Sequence, residues 1–149
     1  MSISEVLSKD SIALHLAGRT KEEVIDELLE AGLRSGRFQD LEAARKAVLE
    51  RESRMSTGLM GGVAIPHGKT NAVKSLVAIV GIADRGVDFG ALDDRECRII
   101  ILTLSPADRM GPHLRFLADI GLLLEDEGKR EALLSAREPD EVLQVLAAA

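Results

Sequence analysis

Two nearly uninterrupted apolar runs, over residues 76–83 and 99–104, restrict the possible folds of this chain more than any other feature of its sequence. Each run has the length of a β-strand, and neither alternates with polar residues as a strand with one solvent-exposed face would. Such runs are typical of central strands that are covered on both faces. Helix-like segments precede and follow them, so the pattern predicts an α/β fold with a β-sheet flanked by helices on both faces.

The flanking segments carry the start signals of helices. Thr20, with Glu23 three residues later, forms a capping box, and Asp40 is a favourable N-cap for a second helix. Pro112 suits the first turn of a later helix, where a missing N–H is tolerated. The apolar stripe of that helix is predicted at Leu114, Leu117, Ile120 and Leu124. The other predicted elements are helices over residues 126–136 and from Pro139, and short strands over residues 12–16, 63–65 and 87–89. The order of the strands does not follow from the sequence.

Composition and charge narrow the class of protein. The chain suits a single domain over residues 1–149, and 46% hydrophobic with 30% charged residues is the profile of a globular protein. A net charge of −6 argues against nucleic-acid binding, which requires Lys and Arg to neutralise phosphates. The single cysteine, Cys97, cannot form an internal disulfide, and no segment resembles a signal peptide or a membrane span. We therefore expect a cytoplasmic protein without membrane insertion.

A glycine-rich segment over residues 57–68 leads into Gly68-Lys69-Thr70, which resembles the end of a nucleotide-binding phosphate loop. Here Val63 occupies the position that the motif requires to be glycine, and Pro66 removes an N–H from the loop. The residues after Thr70 lead into a strand and not into a helix. These departures argue against a nucleotide site.

His67 lies inside this segment, between Pro66, which stiffens the chain, and Gly68, which leaves one side of the ring open. A neutral imidazole nitrogen is nucleophilic near neutral pH and can accept a phosphoryl group. A loop histidine that is held by a backbone hydrogen bond has the same sequence context. The segment by itself leaves both interpretations open.

Three further residues bear on His67. His113 lies in the predicted first turn of a helix, where unpaired N–H groups favour an anion, and its ring could hydrogen-bond a phosphate on a neighbouring imidazole. The alternative is a histidine on the helix surface. Arg51 and Arg54 precede the glycine-rich segment, and a guanidinium suits a phosphate, although basic residues are also common at helix ends.

The remaining polar candidates favour structural roles. Ser56 and Thr57 offer hydroxyl groups or simply form a turn, and His15 is expected on the surface of a strand. Cys97 lacks the electropositive surroundings of a reactive thiolate. Three histidines and one cysteine show no metal-ligand spacing.

Three segments together resemble the active-site signature of one family: Arg51-Glu52, Ser56-Thr57-Gly58-Leu59 and Gly62-Val63-Ala64-Ile65-Pro66-His67-Gly68. The family is the fructose/mannitol-type (type 2) IIA domain of the bacterial phosphoenolpyruvate-dependent sugar phosphotransferase system (PTS), which includes the nitrogen-regulatory IIA proteins. The resemblance covers nearly the whole chain, through Thr20-Lys21-Glu22-Glu23 near its start and the segment around His113. It implies a mixed β-sheet flanked by helices on both faces.

By position, the resemblance implies that His67 is the phosphorylated histidine, that His113 supports the phosphate and that Arg51 lies near the site. It implies an HPr-like phosphocarrier protein as donor and a cysteine of a IIB domain, in a membrane sugar transporter, as acceptor, with no ATP, cofactor or metal. The alternative is a nitrogen-type regulatory protein whose phosphorylation state controls a target such as a kinase or a channel. A sequence that ends at Ala149 without IIB or IIC domains favours that alternative. Met60 replaces a glycine that is usual in the family, and we expect it to alter the loop or the surface that faces a partner.

Overall fold

The structure, a computed structural model, describes residues 3–147, so residues 1–2 and 148–149 of the predicted domain lie outside it. Within that range the helices are α1 Ile3–Val6, α2 Lys21–Arg34, α3 Leu41–Arg54, α4 Met110–Leu123, α5 Glu127–Leu134 and α6 Pro139–Ala147. The strands are β1 Ile12–Leu16, β2 Val63–Ala64, β3 His67–Lys69, β4 Val77–Val87 and β5 Cys97–Ser105.

The two apolar runs form an antiparallel pair, β4 and β5, at the centre of the sheet. Their register places Ile79 opposite Leu102 and Ile82 opposite Ile99. β1 pairs in parallel with β4 on one side, and β2 and β3 both pair in parallel with β5 on the other. The sheet is therefore mixed, with β2 and β3 following one another along the same edge.

Successive side chains of the central strands point to opposite faces of the sheet, and helices cover both faces. On one face, Ile79 and Leu102 join a buried cluster with α2 and α3. On the other face, Val80 and Ile101 join a cluster with α4, α5 and α6. Each of these fully buried side chains contributes about 1.5–3 kcal/mol to folding. The predicted α/β fold, a mixed sheet flanked by helices on both faces, is confirmed.

The predicted helix starts are also confirmed. The hydroxyl of Thr20 accepts the backbone N–H of Glu23 at 3.2 Å, and the Glu23 carboxylate accepts the N–H of Thr20 at 3.2 Å. The Asp40 carboxylate accepts the N–H of Ala43 at 3.0 Å. Because these side chains satisfy N–H groups that have no partner within the helix, the starts of α2 and α3 are encoded locally.

The separate strand predicted over residues 87–89 is wrong. Val87 is the last residue of β4 and pairs with Cys97 of β5, whereas Phe89 is buried in the connection that follows. The register with β5 shifts between Ile82 and Val87, so β4 continues past the exposed residues Asp84 and Arg85 and pairs with β5 again at Val87.

The apolar stripe predicted for α4 is also partly wrong, because Leu114 is 58% exposed. The buried face of α4 consists of His113, Phe116, Ile120 and Leu123. The first buried residue of α4 is His113, which is polar. A hydrophobic pattern does not count a histidine, so the sequence predicted the neighbouring Leu114 as the buried residue of the first turn. No helix within residues 3–147 has the length and apolar character needed to cross a membrane.

Candidate active site

The edge of the sheet beside β5 is interrupted at Pro66, between β2 and β3. Pro66 has no N–H to donate, and its carbonyl oxygen accepts the N–H of Thr103 at 3.0 Å. His67 follows as the first residue of β3 and lies opposite Thr103 in the register. The description of His67 as a loop residue is therefore wrong, because strand pairing fixes its backbone.

The two ring nitrogens of His67 have different surroundings. Nδ1 lies 2.8 Å from the carbonyl oxygen of Ile65, and because a carbonyl only accepts, Nδ1 carries the proton and donates it. In the neutral ring, Nε2 then holds the free lone pair. Burial lowers the pKa of His67; the bond to Ile65 opposes this effect, and the charge of Arg51 adds to it. The neutral ring therefore prevails at neutral pH, and the hydrogen bond to the backbone leaves Nε2 free to act as a nucleophile.

His113 meets His67 from α4. Its side chain is buried, which excludes the alternative of a surface histidine, and the two ring centroids lie 5.4 Å apart with the ring planes at 72°. The hydroxyl of Thr103 lies 2.9 Å from Nε2 of His113, and that of Ser105 lies 3.0 Å from Nδ1. Burial, with smaller contributions from His67 and Lys69, lowers the pKa of His113 to about 4. His113 is therefore a neutral ring at pH 7, fixed at both nitrogens beside His67.

A pocket of about 630 Å³ lies over the two histidines, between α3 and α4. Arg51 lines it from the last turn of α3, and its Nη1 donates to the carbonyl oxygen of Met55 at 2.8 Å. Lys69 lies two residues after His67 on β3 and lines the same pocket, as the period of two in a strand requires. The structure thus brings His67, His113 and Arg51 to one place.

A buried carboxylate anchors the segment that orients His67. Glu52 accepts the backbone N–H of Thr57 at 3.0 Å and its hydroxyl at 2.5 Å, and Lys21 pairs with the same carboxylate at 3.6 Å. The carbonyl of Thr57 accepts the N–H of Ile65 at 3.0 Å, and the carbonyl of Ile65 accepts Nδ1–H of His67. A continuous path of hydrogen bonds therefore runs from Glu52 to the histidine.

Glycines allow the active-site segment to pack as closely as it does. A Cβ on Gly68 would lie 2.9 Å from the backbone of Ala47 and Val48, so β3 approaches α3 only because residue 68 has no side chain. Gly61 and Gly62 have φ angles of +82° and +80°, which residues with a side chain rarely adopt. These glycines therefore allow the tight turn before β2 and the close packing of β3 on α3.

Sequence reasoning missed several residues of the site. Thr103 and Ser105 both bond His113 from the face of β5 that α4 covers. Two polar residues at a spacing of two in an apolar strand lie on the same face, and this spacing could have indicated that they share a polar partner. If His67 had been predicted in a strand, the period of two would have placed Lys69 on the same face of that strand and so in the site. Ser56 and Thr57 use their hydroxyls within the fold, on Phe89 and Glu52, and so form the turn rather than an open donor site.

The other candidate chemistries find no support. Gly68 and Lys69 lie within β3, and the next element after them is the strand β4 and not the helix that a nucleotide-binding loop would require. Cys97 is buried, and burial, followed by the charges of Asp93 and Asp88, raises the pKa of its thiol to about 11. His15 lies exposed on β1, with Nδ1 at 2.8 Å from Asp84. In the described part of the chain, no group of three or more His, Cys, Asp or Glu side chains is arranged to hold a metal ion.

Relatives of known sequence match this chain either over most of their own length or over one part of it. It is 37% identical to the PTS system fructose-specific EIIA component of Haloferax volcanii, over 97% of this chain and 94% of that protein. It is 34% identical to the PTS system fructose-specific EIIABC component of Bacillus subtilis over 98% of this chain, but it spans only 23% of that larger protein.

Solved structures show the same fold. The nitrogen regulatory protein IIA-Ntr of Neisseria meningitidis matches with a TM-score of 0.89 and 28% identity, over 97% of this chain and 98% of that one. The enzyme IIA for mannitol of Escherichia coli, in its complex with phosphorylated enzyme IIB, matches with a TM-score of 0.82 and 27% identity, over 96% of this chain and 98% of that one.

A family model agrees with these likenesses over almost the whole sequence. The model described as "Phosphoenolpyruvate-dependent sugar phosphotransferase system, EIIA 2" matches residues 5–149, a range that contains the sheet, the covering helices and both histidines. The chain therefore belongs to the EIIA type 2 family of the phosphoenolpyruvate-dependent sugar phosphotransferase system.

Proposed function

We propose that this chain accepts a phosphoryl group on Nε2 of His67 from an HPr-like phosphocarrier protein and passes it to a cysteine of a IIB domain for sugar uptake. The observation that supports this proposal most directly is that only one of the two ring nitrogens of His67 is engaged in a hydrogen bond. Nδ1 donates to Ile65 at 2.8 Å, so Nε2 is left as the atom with a lone pair. The lowered pKa of His67 keeps that lone pair available at neutral pH.

Each transfer exchanges one bond to phosphorus for another. In the first step, Nε2 attacks the phosphorus, the N–P bond to the histidine of the donor breaks, and that histidine keeps the electron pair. In the second step, a cysteine thiolate of the acceptor attacks, the Nε2–P bond of His67 breaks, and the neutral ring is restored. Neither step consumes ATP or requires a metal ion.

The charged and polar neighbours of His67 have separate roles in this proposal. Arg51 and Lys69 place positive charge in the pocket, where it stabilises the phosphoryl oxygens. The sequence predicted that His113 stabilises the phosphate. Both of its ring nitrogens lie within hydrogen-bond distance of hydroxyls, so we propose that it supports the phosphate by restricting the orientation of the His67 ring, 5.4 Å away. His67 is thus the nucleophile, and His113 and Arg51 support it.

Similar proteins support the choice of acceptor. The mannitol IIA of Escherichia coli was solved in complex with phosphorylated IIB, and two of the relatives are named as fructose-specific components. A IIB domain belonging to a membrane sugar transporter is accordingly the proposed acceptor for this chain. In this role the protein works in the cytoplasm.

A regulatory function is the second candidate, and the likeness to the IIA-Ntr of Neisseria meningitidis supports it. In that case the phosphorylated and free forms of His67 differ in their affinity for a target protein, since a phosphoryl group adds charge and strong acceptors to the interface. Binding of candidate partners to His67→Asp and His67→Ala variants separates the two functions. A target that distinguishes these variants supports regulation, and phosphoryl transfer to a IIB cysteine supports transport.

The direct test is incubation with phosphoenolpyruvate, enzyme I and the phosphocarrier protein, comparing wild type with His67→Ala and His113→Ala. We expect no labelling of His67→Ala, and slower labelling of His113→Ala with His67 still the site. His15→Ala is the matched control, because His15 is exposed on β1 at the other side of the sheet, and its labelling should equal that of wild type. Full labelling of His67→Ala would refute the proposal, and complete loss in His113→Ala would contradict its supporting role.

A further inference from the structure

Two buried hydroxyl groups hold the ring of His113. Thr103 and Ser105 are fully buried, and their hydroxyl oxygens lie 2.9 Å from Nε2 and 3.0 Å from Nδ1 of His113. Both side chains lie on the face of β5 that α4 covers, beside apolar residues such as Ile101. Within residues 3–147, neither hydroxyl makes a second hydrogen bond. Both hydroxyls are therefore available to answer any change in the state of this one ring.

A hydroxyl is a suitable partner for a histidine in either protonation state. A neutral imidazole has one N–H and one lone pair, so one of the two hydroxyls accepts a hydrogen bond from the ring and the other donates one to it. A protonated imidazole donates from both nitrogens, and a hydroxyl that rotates about its C–O bond then accepts instead of donating. His113 can therefore bind a proton while its ring and the oxygen atoms of Thr103 and Ser105 stay in place.

In the free protein, the surroundings of His113 favour the neutral ring. Burial, followed by the charges of His67 and Lys69, lowers the pKa of His113 to about 4. Among the described residues that line the pocket, Glu50 is the only carboxylate, and it is exposed, as is Glu5 of α1, the helix that packs on α4. The other charged residues that line the pocket or lie within four residues of His113 on α4 are cations: Lys46, Arg51 and Arg54 of α3, Lys69 of β3, and Arg109 and Arg115.

A phosphoryl group on His67 reverses this balance, because it is an anion at neutral pH. The ring centroids of His67 and His113 lie 5.4 Å apart. At an effective dielectric constant of about 20, one unit of charge at about this distance changes a pKa by about 2. Negative charge favours the protonated ring, so the pKa of His113 rises when His67 is phosphorylated.

We propose that phosphorylation of His67 is coupled to the binding of one proton by His113, and that Thr103 and Ser105 are positioning residues that accept both N–H groups of the protonated ring. This inference rests on the proposed function, because it requires a phosphoryl group on His67. The proton comes from solvent when the phosphoryl group arrives and returns to solvent when the group leaves. The protonated ring offsets negative charge on the phosphoryl group, so a lower pH favours the phosphorylated protein.

The test is NMR of protein with ¹⁵N in its histidine rings, because the shifts of the two ring nitrogens report the protonation state of His113. Free protein is compared from pH 6 to 9 with protein kept phosphorylated by phosphoenolpyruvate, enzyme I and the phosphocarrier protein. At pH 6, a pKa of about 4 leaves His113 about 1% protonated in the free protein. We expect about half or more of the His113 rings to be protonated in the phosphorylated protein. A protonated fraction below about one in ten would overturn the proposal.

Three variants separate the hydroxyls from packing. Thr103→Val/Ser105→Ala removes both hydroxyls, and we expect its His113 to stay neutral at pH 6 when His67 is phosphorylated. Thr103→Ser keeps both hydroxyls and should behave as wild type. Ile101→Val is the matched control, because it loosens the same face of β5 and leaves the hydroxyls in place. Protonation of His113 in the double variant, or its loss in Ile101→Val, would overturn the role of Thr103 and Ser105.

The equilibrium of phosphoryl transfer gives a second readout that a purely structural role would not change. With one proton bound per phosphoryl group, the equilibrium constant for transfer from the phosphocarrier protein should rise, relative to the double variant, by up to about tenfold for each unit by which the pH is lowered. An equal pH dependence in the two proteins would contradict the coupling. Phosphate on His67 beside a neutral His113 would refute this inference alone, whereas the absence of phosphate from His67 would refute the proposed function.

Discussion

Replacing Glu52 with alanine removes the anchor of the segment that orients His67. The carboxylate is buried and accepts two hydrogen bonds from Thr57, at 3.0 Å and 2.5 Å. Without it, the N–H and the hydroxyl of Thr57 lose their partners in the interior, and each unsatisfied group costs about 1–3 kcal/mol. We expect Glu52→Ala to lose about 2–5 kcal/mol of unfolding free energy in urea denaturation.

Glu52→Gln separates anchoring from charge. The amide oxygen can accept the N–H of Thr57 while the amide nitrogen donates to its hydroxyl, so only the ion pair with Lys21 is lost, and we expect a loss of about 1 kcal/mol. Glu131→Ala, an exposed change on α5, should leave stability within about 0.5 kcal/mol of wild type.

Glu52→Ala should also affect phosphoryl transfer, because Glu52 is connected to His67 by hydrogen bonds through Thr57 and Ile65. A displaced ring should slow transfer from the phosphocarrier protein by about 10- to 100-fold in Glu52→Ala, and by much less in Glu52→Gln. In ³¹P NMR, the share of phosphate on Nδ1 of His67 should rise in the alanine variant, because the hydrogen bond that keeps Nδ1 protonated is loosened. If Glu52→Ala matches Glu52→Gln in both stability and transfer rate, the hydrogen-bond path does not orient the histidine.

Three further results are expected. Because burial lowers the pKa of His67 below its ordinary value of 6.5, the rate of its phosphorylation should decline only at pH below 6.5, and a rate already halved at pH 6.5 would contradict this. The pKa of His113 is about 4 in the folded protein and 6.5 in the unfolded chain. Between these two pH values the unfolded state binds more protons than the folded state. The unfolding free energy should therefore fall by up to about 3 kcal/mol as the pH drops from 6.5 to 4. His113→Gln should lack this part of the pH dependence, and an unchanged slope in urea denaturation would refute the assignment. Gly68→Ala places a Cβ 2.9 Å from the backbone of Ala47 and should lower the unfolding free energy by about 1–3 kcal/mol. Gly121→Ala is the control, because its Cβ meets open space, and it should not lower the unfolding free energy in the same assay.

The parts of the fold that could be predicted are those whose signals are local. Uninterrupted apolar runs identified β4 and β5 as central strands, and the side chains of Thr20 and Asp40 marked the starts of α2 and α3. These elements follow from hydrophobic burial and from capping within a few residues of the chain.

The missed parts depend on contacts between distant segments. Only pairing with Thr103 makes His67 part of a strand, and only the hydroxyls of Thr103 and Ser105 make His113 a buried residue at the start of α4. That buried histidine shifts the inward face of α4 and leaves Leu114 exposed. The motif around His67 therefore indicated the residue that we propose as the nucleophile, but not the residues that hold it in place.

The central claim is that the phosphoryl group resides on Nε2 of His67, and ³¹P NMR of the protein phosphorylated by the phosphocarrier protein tests it most directly. We expect one phosphohistidine per chain with phosphorus bonded to Nε2, because Nδ1 donates to Ile65. The signal should be absent from His67→Ala. Phosphate on Nδ1 of His67, or on any other residue of the wild-type protein, would contradict the account.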